Sequence, residues 1–232
     1  YGTVGSSAGA SVGDAARETV WHVGVLVSMT LALPVLATAA LLVRALRHDA
    51  LRPVAAFASV TAAYCALLVC EVGVFAASSL DDLSERYLVS ALPALLLGLV
   101  VWAATPNGSE RLVAALLGVV AVGAVALVPV DRYLTSPNPY DALTTAPLRD
   151  LANRTSGGWA HVALIGGAVV LAAAFVALPG RLRFASLAVL AAAFAAVSAD
   201  AGNDVRHLSH VEQTVAFGAS SPQWIDEAGV GP

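Results

Sequence analysis

The chain has 232 residues, of which 58% are hydrophobic and 12% are charged, and its formal net charge is -4. A soluble domain carries roughly 25% charged residues, so this composition indicates an integral membrane protein rather than a soluble domain. Arginine supplies every side-chain cation, and no basic stripe, Walker loop or nucleotide fingerprint is present. The sequence therefore gives no indication of nucleic-acid or nucleotide binding.

Apolar segments along the chain predict an all-α integral membrane fold with about six transmembrane helices. A helix needs about 20 residues to cross roughly 30 Å of hydrocarbon. The segments that reach or approach this length are 20–43, 54–80, 87–104, 112–130, 159–178 and 184–198. We expect residues 1–19 to form an extracytoplasmic loop, residues 20–198 the transmembrane domain, and residues 199–232 an extracytoplasmic tail that begins a truncated outer domain.

Charge on the connections predicts the orientation. The first, third and fifth connections are short and net basic, and their arginines are Arg44, Arg47, Arg52, Arg111, Arg181 and Arg183. Short loops rich in arginine lie in the cytoplasm. The two remaining connections, 81–86 and 131–158, are acidic or mixed, and the second contains a short helix near residue 146. The pattern predicts a multi-pass protein of the cell membrane with both termini extracytoplasmic.

The two ends of the sequence indicate a fragment of a longer protein. Residue 1 is Tyr1, the single methionine is Met29 inside an apolar segment, and no signal peptide opens the chain. The chain stops at Pro232 in a glycine-rich stretch. We expect catalytic or domain residues of the full protein to lie outside the sequence.

The densest cluster of charge covers residues 81–87, directly before the apolar segment 87–104. In a structural interpretation, Asp82 caps the helix, Glu85 completes a capping box, and Arg86 and Tyr87 anchor the helix at the membrane interface. In a functional interpretation, Arg86 and Tyr87 bind an anionic headgroup, because arginine offers paired donors to phosphate oxygens and tyrosine adds a hydroxyl.

Glu71 is the second candidate, because it lies inside a segment otherwise free of charge. A carboxylate within hydrocarbon costs several kcal/mol unless it is paired or solvated. Glu71 is either a paired or protonated structural acid, or a group that lines a water-filled cavity.

The histidines give weak signals. His207 and His210 lie near Asp204 and Glu212, but no further ligand pattern supports a metal site, and we expect neither a metal nor a cofactor. Two other histidines stand beside tryptophans near the ends of apolar segments, which is typical of interfacial belts. They are His22 and His161.

The helix start at residues 86–95, RYLVSALPAL, resembles the RYLLPxxPxL helix start of membrane glycosyltransferases of the GT-C class, such as protein mannosyltransferases and aminoarabinose transferases. The chain also resembles multi-pass actinobacterial proteins of this type in the order of its motifs. The matching residues are Trp21-His22, Glu85-Arg86-Tyr87-Leu88 and Ser221-Pro222-Gln223-Trp224-Ile225-Asp226. One departure is Ser90, which stands where the pattern has its first proline.

The resemblance implies transfer of a sugar from a polyprenyl-phosphate donor to an unidentified extracytoplasmic acceptor. It assigns Arg86 and Tyr87 to the lipid phosphate, and Asp82 and Glu85 to orienting or capping. The catalytic base of such an enzyme is an acid in the first outer loop. We expect that base upstream of residue 1, so the fragment alone should be inactive. Two alternatives stay open: a transporter in which Glu71 lines the path, and a non-catalytic membrane scaffold.

Overall fold

The computed structural model describes residues 11–79, 85–105, 111–134, 146–177 and 182–217, and these ranges are helical, with no strand among them. The helices are joined by short turns wherever the connection is described. In chain order they are α1 (Val12–Met29), α2 (Leu33–Leu46), α3 (Arg52–Ser79), a 3₁₀ helix (Glu85–Ala91), α4 (Leu92–Ala104), α5 (Arg111–Ala126), α6 (Val130–Leu134), α7 (Ala146–Arg154), α8 (Gly157–Ala177) and α9 (Arg183–Phe217).

Three of the described helical runs are long and apolar enough to cross a membrane: Arg52–Ser78, Glu85–Ala104 and Gly157–Ala177. A fourth candidate is the bent pair formed by α1 and α2. The helices in the remaining two predicted segments, α5 and the apolar part of α9, are shorter than a full span. The described residues thus contain three or four candidate spans, where the sequence predicts about six.

The predicted span 20–43 is broken between α1 and α2, which are bent by 110°. Leu31 and Ala32 adopt positive φ angles of 52° and 59° at the break, a conformation that non-glycine residues seldom adopt. Pro34 lies in the first turn of α2. Because proline has no N–H and its ring would clash with the carbonyl of Thr30 in a continuous helix, it favours a new helix start here.

The predicted loop 1–19 is helical from Val12 onward. The Ser11 side chain accepts a hydrogen bond from the Asp14 N–H at 3.1 Å, and the Asp14 carboxylate accepts one from the Ser11 N–H at 3.4 Å. This reciprocal capping box satisfies backbone donors that a helix start leaves open. At the other end of the chain, α9 continues through residue 217, so the first half of the predicted tail is also helical.

Glycines allow α1 to approach α3 and α5 closely. A Cβ on Gly24 of α1 would overlap the carbonyl of Ala124 and the side chain of Val128, and one on Gly73 of α3 would overlap Thr19. Around these contacts lies an apolar core between α1, α3 and the 3₁₀ helix. Its buried residues are Val25, Leu26, Met29, Val69, Val72, Leu88, Ala91, Leu95 and Val128.

The antiparallel packing gives the described helices two distinct ends. We call one of them the polar end, and it contains the start of α1, the end of α3, the 3₁₀ helix, α6 and the start of α8. Asp131 of α6 contacts Gly157 of α8 at this end. At the opposite end, Arg183 lies 4.1 Å from the centre of the Trp102 ring. Its Nη1 also donates to the carbonyl oxygens of Trp102 and Thr105, each at 3.3 Å. The side chain of Arg183 therefore caps the C-terminal end of α4 by donating to its last carbonyl groups.

We predict that Gly24→Ala destabilises the fold by about 1–3 kcal/mol, because the added methyl group must displace backbone of α5. The free energy of unfolding, measured by denaturant titration in detergent micelles, checks this. Gly166→Ala is the matched control, because a Cβ there meets open space. That control should be neutral or gain up to about 1 kcal/mol from helix propensity. Equal losses in the two variants would contradict the close approach of α1 and α5.

Candidate functional site

A buried ion pair joins α1 to α6 at the polar end. Nη1 of Arg132 donates to Oε1 of Glu18 at 2.7 Å, across 114 positions of sequence. Glu18 is 2% exposed, whereas the Arg132 side chain is 26% exposed. A carboxylate so deeply buried needs a cation or several donors nearby, and removing its partner is strongly unfavourable.

His22 lies one helical turn after Glu18 on the same face of α1, and it is fully buried. Its Nδ1 lies 2.7 Å from the backbone carbonyl oxygen of Glu18. Because a carbonyl oxygen can only accept, Nδ1 carries the proton and donates it. Nε2 of the neutral ring is then an acceptor.

Two acceptor atoms of this cluster have no hydrogen-bond partner among the residues that the structure describes. They are Oε2 of Glu18 and Nε2 of His22, and both are buried. Most buried polar side-chain atoms in proteins have a partner, so each exception points to a missing donor or to a function.

Trp21 contacts the cluster through the guanidinium group of Arg132. The guanidinium groups of Arg17 and Arg132 lie 5.1 Å and 5.4 Å from the centre of its ring. Arg17 also forms an exposed ion pair with Asp14 at 2.9 Å. The two arginines thus share one aromatic ring, but only Arg132 neutralises a buried acid.

The structure brings Arg86 and Tyr87 together in the 3₁₀ helix. Nη2 of Arg86 donates to the Tyr87 hydroxyl at 3.0 Å, and the guanidinium lies 5.0 Å from the centre of the tyrosine ring. Phe75 of α3 packs edge-on against that ring, with 5.7 Å between the ring centres. Arg86 is exposed, whereas Glu85 beside it is 2% exposed. Asp82, the predicted cap, lies outside the described residues.

Ser90, which stands where the GT-C motif has its first proline, forms a hydrogen bond between the 3₁₀ helix and α3. Its Oγ accepts a hydrogen bond from the Tyr64 hydroxyl at 2.9 Å. The serine therefore supplies a contact between elements that the proline of the pattern could not make.

Glu71 is exposed on α3 and lines neither of the two cavities described below. The side chains of His207 and His210 lie outside the described residues. Within the part of the chain that the structure describes, no three His, Cys, Asp or Glu side chains converge as metal ligands would.

Two apolar cavities lie between the helices. One of about 240 Å³ adjoins the break between α1 and α2, where Leu31 and Ala32 line it together with Leu148 of α7 and Gly167 of α8. The other, of about 470 Å³, lies between α5 and α8. Their linings are almost entirely aliphatic, so each can accept only apolar groups.

Sequence reasoning missed the ion-pair cluster. Glu18 fell within the predicted loop, His22 was interpreted as an interfacial residue, and Arg132 lay in a long connection. The available signal was the spacing of four between Glu18 and His22, which places both on one helix face. No sequence pattern pointed to Arg132.

No protein-family model matches the chain, and no curated protein or solved structure matches it either. The resemblance to GT-C glycosyltransferases therefore rests on the motif residues themselves.

We predict that Arg132→Gln lowers the free energy of unfolding by about 3–5 kcal/mol, because it leaves the buried Glu18 carboxylate without its cation. Arg17→Gln is the matched control: Arg17 contacts the same tryptophan ring but pairs with an exposed acid, so the loss should stay below about 1 kcal/mol.

The double variant Glu18→Gln with Arg132→Gln separates charge from packing. It removes both charges, so it should recover part of the stability that Arg132→Gln loses. Equal losses for the two single arginine variants, or no recovery in the double variant, would show that the pair does not act through charge.

Proposed function

We propose that the chain is part of a multi-pass membrane glycosyltransferase of the GT-C type, and that Arg86 and Tyr87 bind the phosphate of its polyprenyl-phosphate sugar donor. The observation that carries the proposal is the geometry of this pair. The guanidinium lies against the tyrosine ring and donates to the tyrosine hydroxyl, at an exposed position.

The pair presents donor chemistry that suits a phosphate. A guanidinium carries five N–H donors in a planar fork that matches phosphate oxygens. The Tyr87 oxygen accepts one of these donors, so its own O–H is directed elsewhere and can donate. Contact with the ring restrains Arg86, which reduces the entropy lost when a ligand binds.

The position of the pair along the helix also favours an anion. Arg86 lies at the beginning of the apolar run Glu85–Ala104. The N-terminal end of a helix carries partial positive charge and stabilises a nearby anion. Glu85, the neighbour of Arg86 in the chain, is buried, whereas Arg86 is exposed.

The candidate spans support a location in the membrane, with the polar end on the extracytoplasmic side. The described helices include three that are long and apolar enough to span it. The end opposite the polar end carries the basic connection with Arg44, Arg47 and Arg52, which favours the cytoplasm. In this orientation we expect Arg86 to lie at the depth of lipid phosphates. Glu71 is exposed on α3 rather than in a described cavity, so we prefer a transferase to a carrier.

We predict that Arg86→Ala weakens binding of a short-chain polyprenyl phosphate by about tenfold or more, because hydrogen bonds to a charged group contribute about 1.5–3 kcal/mol. Binding is measured by titration of the protein in nanodiscs. Tyr87→Phe should cause a smaller loss, and Arg86→Lys should retain part of the affinity because it keeps the charge.

Arg111→Ala is the matched control, because Arg111 is an exposed arginine at the start of another apolar helix, at the opposite end of the protein. It should leave the affinity unchanged. The uncharged polyprenol should bind wild type and Arg86→Ala equally. If Arg86→Ala and Arg111→Ala bind the polyprenyl phosphate as tightly as wild type, the site is not at Arg86.

A further inference from the structure

Glu18 and His22 leave two buried acceptors without a donor in the described part of the chain. Oε1 of Glu18 receives Arg132, but Oε2 and Nε2 of His22 receive nothing. A buried acceptor without a donor is unfavourable, because it has lost its hydrogen bonds to water. Both atoms belong to one face of α1, a single turn apart, and one water molecule carries two protons, one for each acceptor.

The charges around the two atoms select a neutral donor. Arg132 already neutralises the Glu18 carboxylate, so a cation would lie beside a guanidinium. An anion is disfavoured by the acceptor character of both atoms. In the neutral ring, the hydrogen bond from Nδ1 of His22 to the Glu18 carbonyl leaves Nε2 as an acceptor. The chemistry that remains is an O–H group.

The surroundings suit one enclosed polar group rather than bulk solvent. His22 is fully buried, and the core beside it is aliphatic, with Val25, Val69 and Leu88 among its residues. A buried water needs two or more polar partners, and an apolar cavity stays dry. Glu18 and His22 supply two such partners. Among the described residues, Glu85 of the 3₁₀ helix, which contacts α1, is a second buried acid at this end.

We propose that Oε2 of Glu18 and Nε2 of His22 form an internal binding site for neutral O–H donors, either one water molecule, whose two protons serve both acceptors, or two neighbouring hydroxyl groups of a ligand such as a sugar. The site is separate from Arg86 and Tyr87 and does not depend on the proposed transferase function. Arg132, whose guanidinium lies 5.4 Å from the centre of the Trp21 ring, pairs with Glu18 and so neutralises the carboxylate of the site.

Nuclear magnetic resonance of the ¹⁵N-histidine-labelled protein in nanodiscs tests the proposal, since the chain has only 5 histidines. His22→Gln assigns the His22 signals, and the measurement itself is made on wild type. We expect a proton on Nδ1 and none on Nε2. If the site holds a water molecule, we expect magnetisation transfer from water to His22. If it binds the hydroxyl groups of a ligand, we expect that transfer from the hydroxyls of an added methyl glycoside.

The two arms distinguish the sources of the O–H group. A cross-peak to water in the free protein identifies an internal water. A cross-peak that is absent in the free protein and gained with the glycoside identifies a ligand hydroxyl. His48, which is exposed, should exchange with bulk solvent in both samples and serves as the control. A proton on Nε2, or no cross-peak in either sample, would overturn the proposal.

Discussion

The ion pair between Glu18 and Arg132 is the constraint on which the polar end depends. Leaving a carboxylate that is 2% exposed without its cation is strongly unfavourable, so the pair favours a position of α6 against α1. The absence of a side chain at Gly24 lets α1 and α5 come close enough for the pair to form. Trp21 then packs against the same arginine. Charge and close packing thus act on neighbouring contacts of α1, the first with α6 and the second with α5.

This arrangement divides the polar end into a buried part and an exposed part. In the buried part, the neutralised Glu18 and the fixed tautomer of His22 leave acceptors that suit an O–H group. In the exposed part, Arg86 and Tyr87 form a hydrogen-bonded pair at a helix start. The α1 helix contacts the 3₁₀ helix that carries the donor pair. The ion pair is therefore part of the framework on which we propose that a lipid phosphate binds.

Length and hydropathy were sufficient to predict the long apolar helices, because burial against either lipid or protein selects the same residues. The sequence contained a local signal for the break at Pro34, but the proline lies within a continuous apolar run that resembles one span. It also contained the helix start at Ser11 and Asp14, but the glycine-rich opening of the chain favoured a loop there. The contact of Glu18 with Arg132 could not be predicted, because the two residues are 114 positions apart and no local pattern relates them. Arg86 and Tyr87 could be singled out from the sequence as a pair, because the two residues are adjacent in the chain.

The central claim is that the polar end, at Arg86 and Tyr87, receives the phosphate of a polyprenyl lipid. Photo-crosslinking in nanodiscs, with a polyprenyl phosphate that carries its reactive group next to the phosphate, tests it most directly. We predict adducts in the 3₁₀ helix Glu85–Ala91 and the neighbouring start of α1, and excess unlabelled polyprenyl phosphate should suppress them. Adducts concentrated at the opposite, basic end near Arg44 and Arg52, or spread evenly over all the helices, would contradict it.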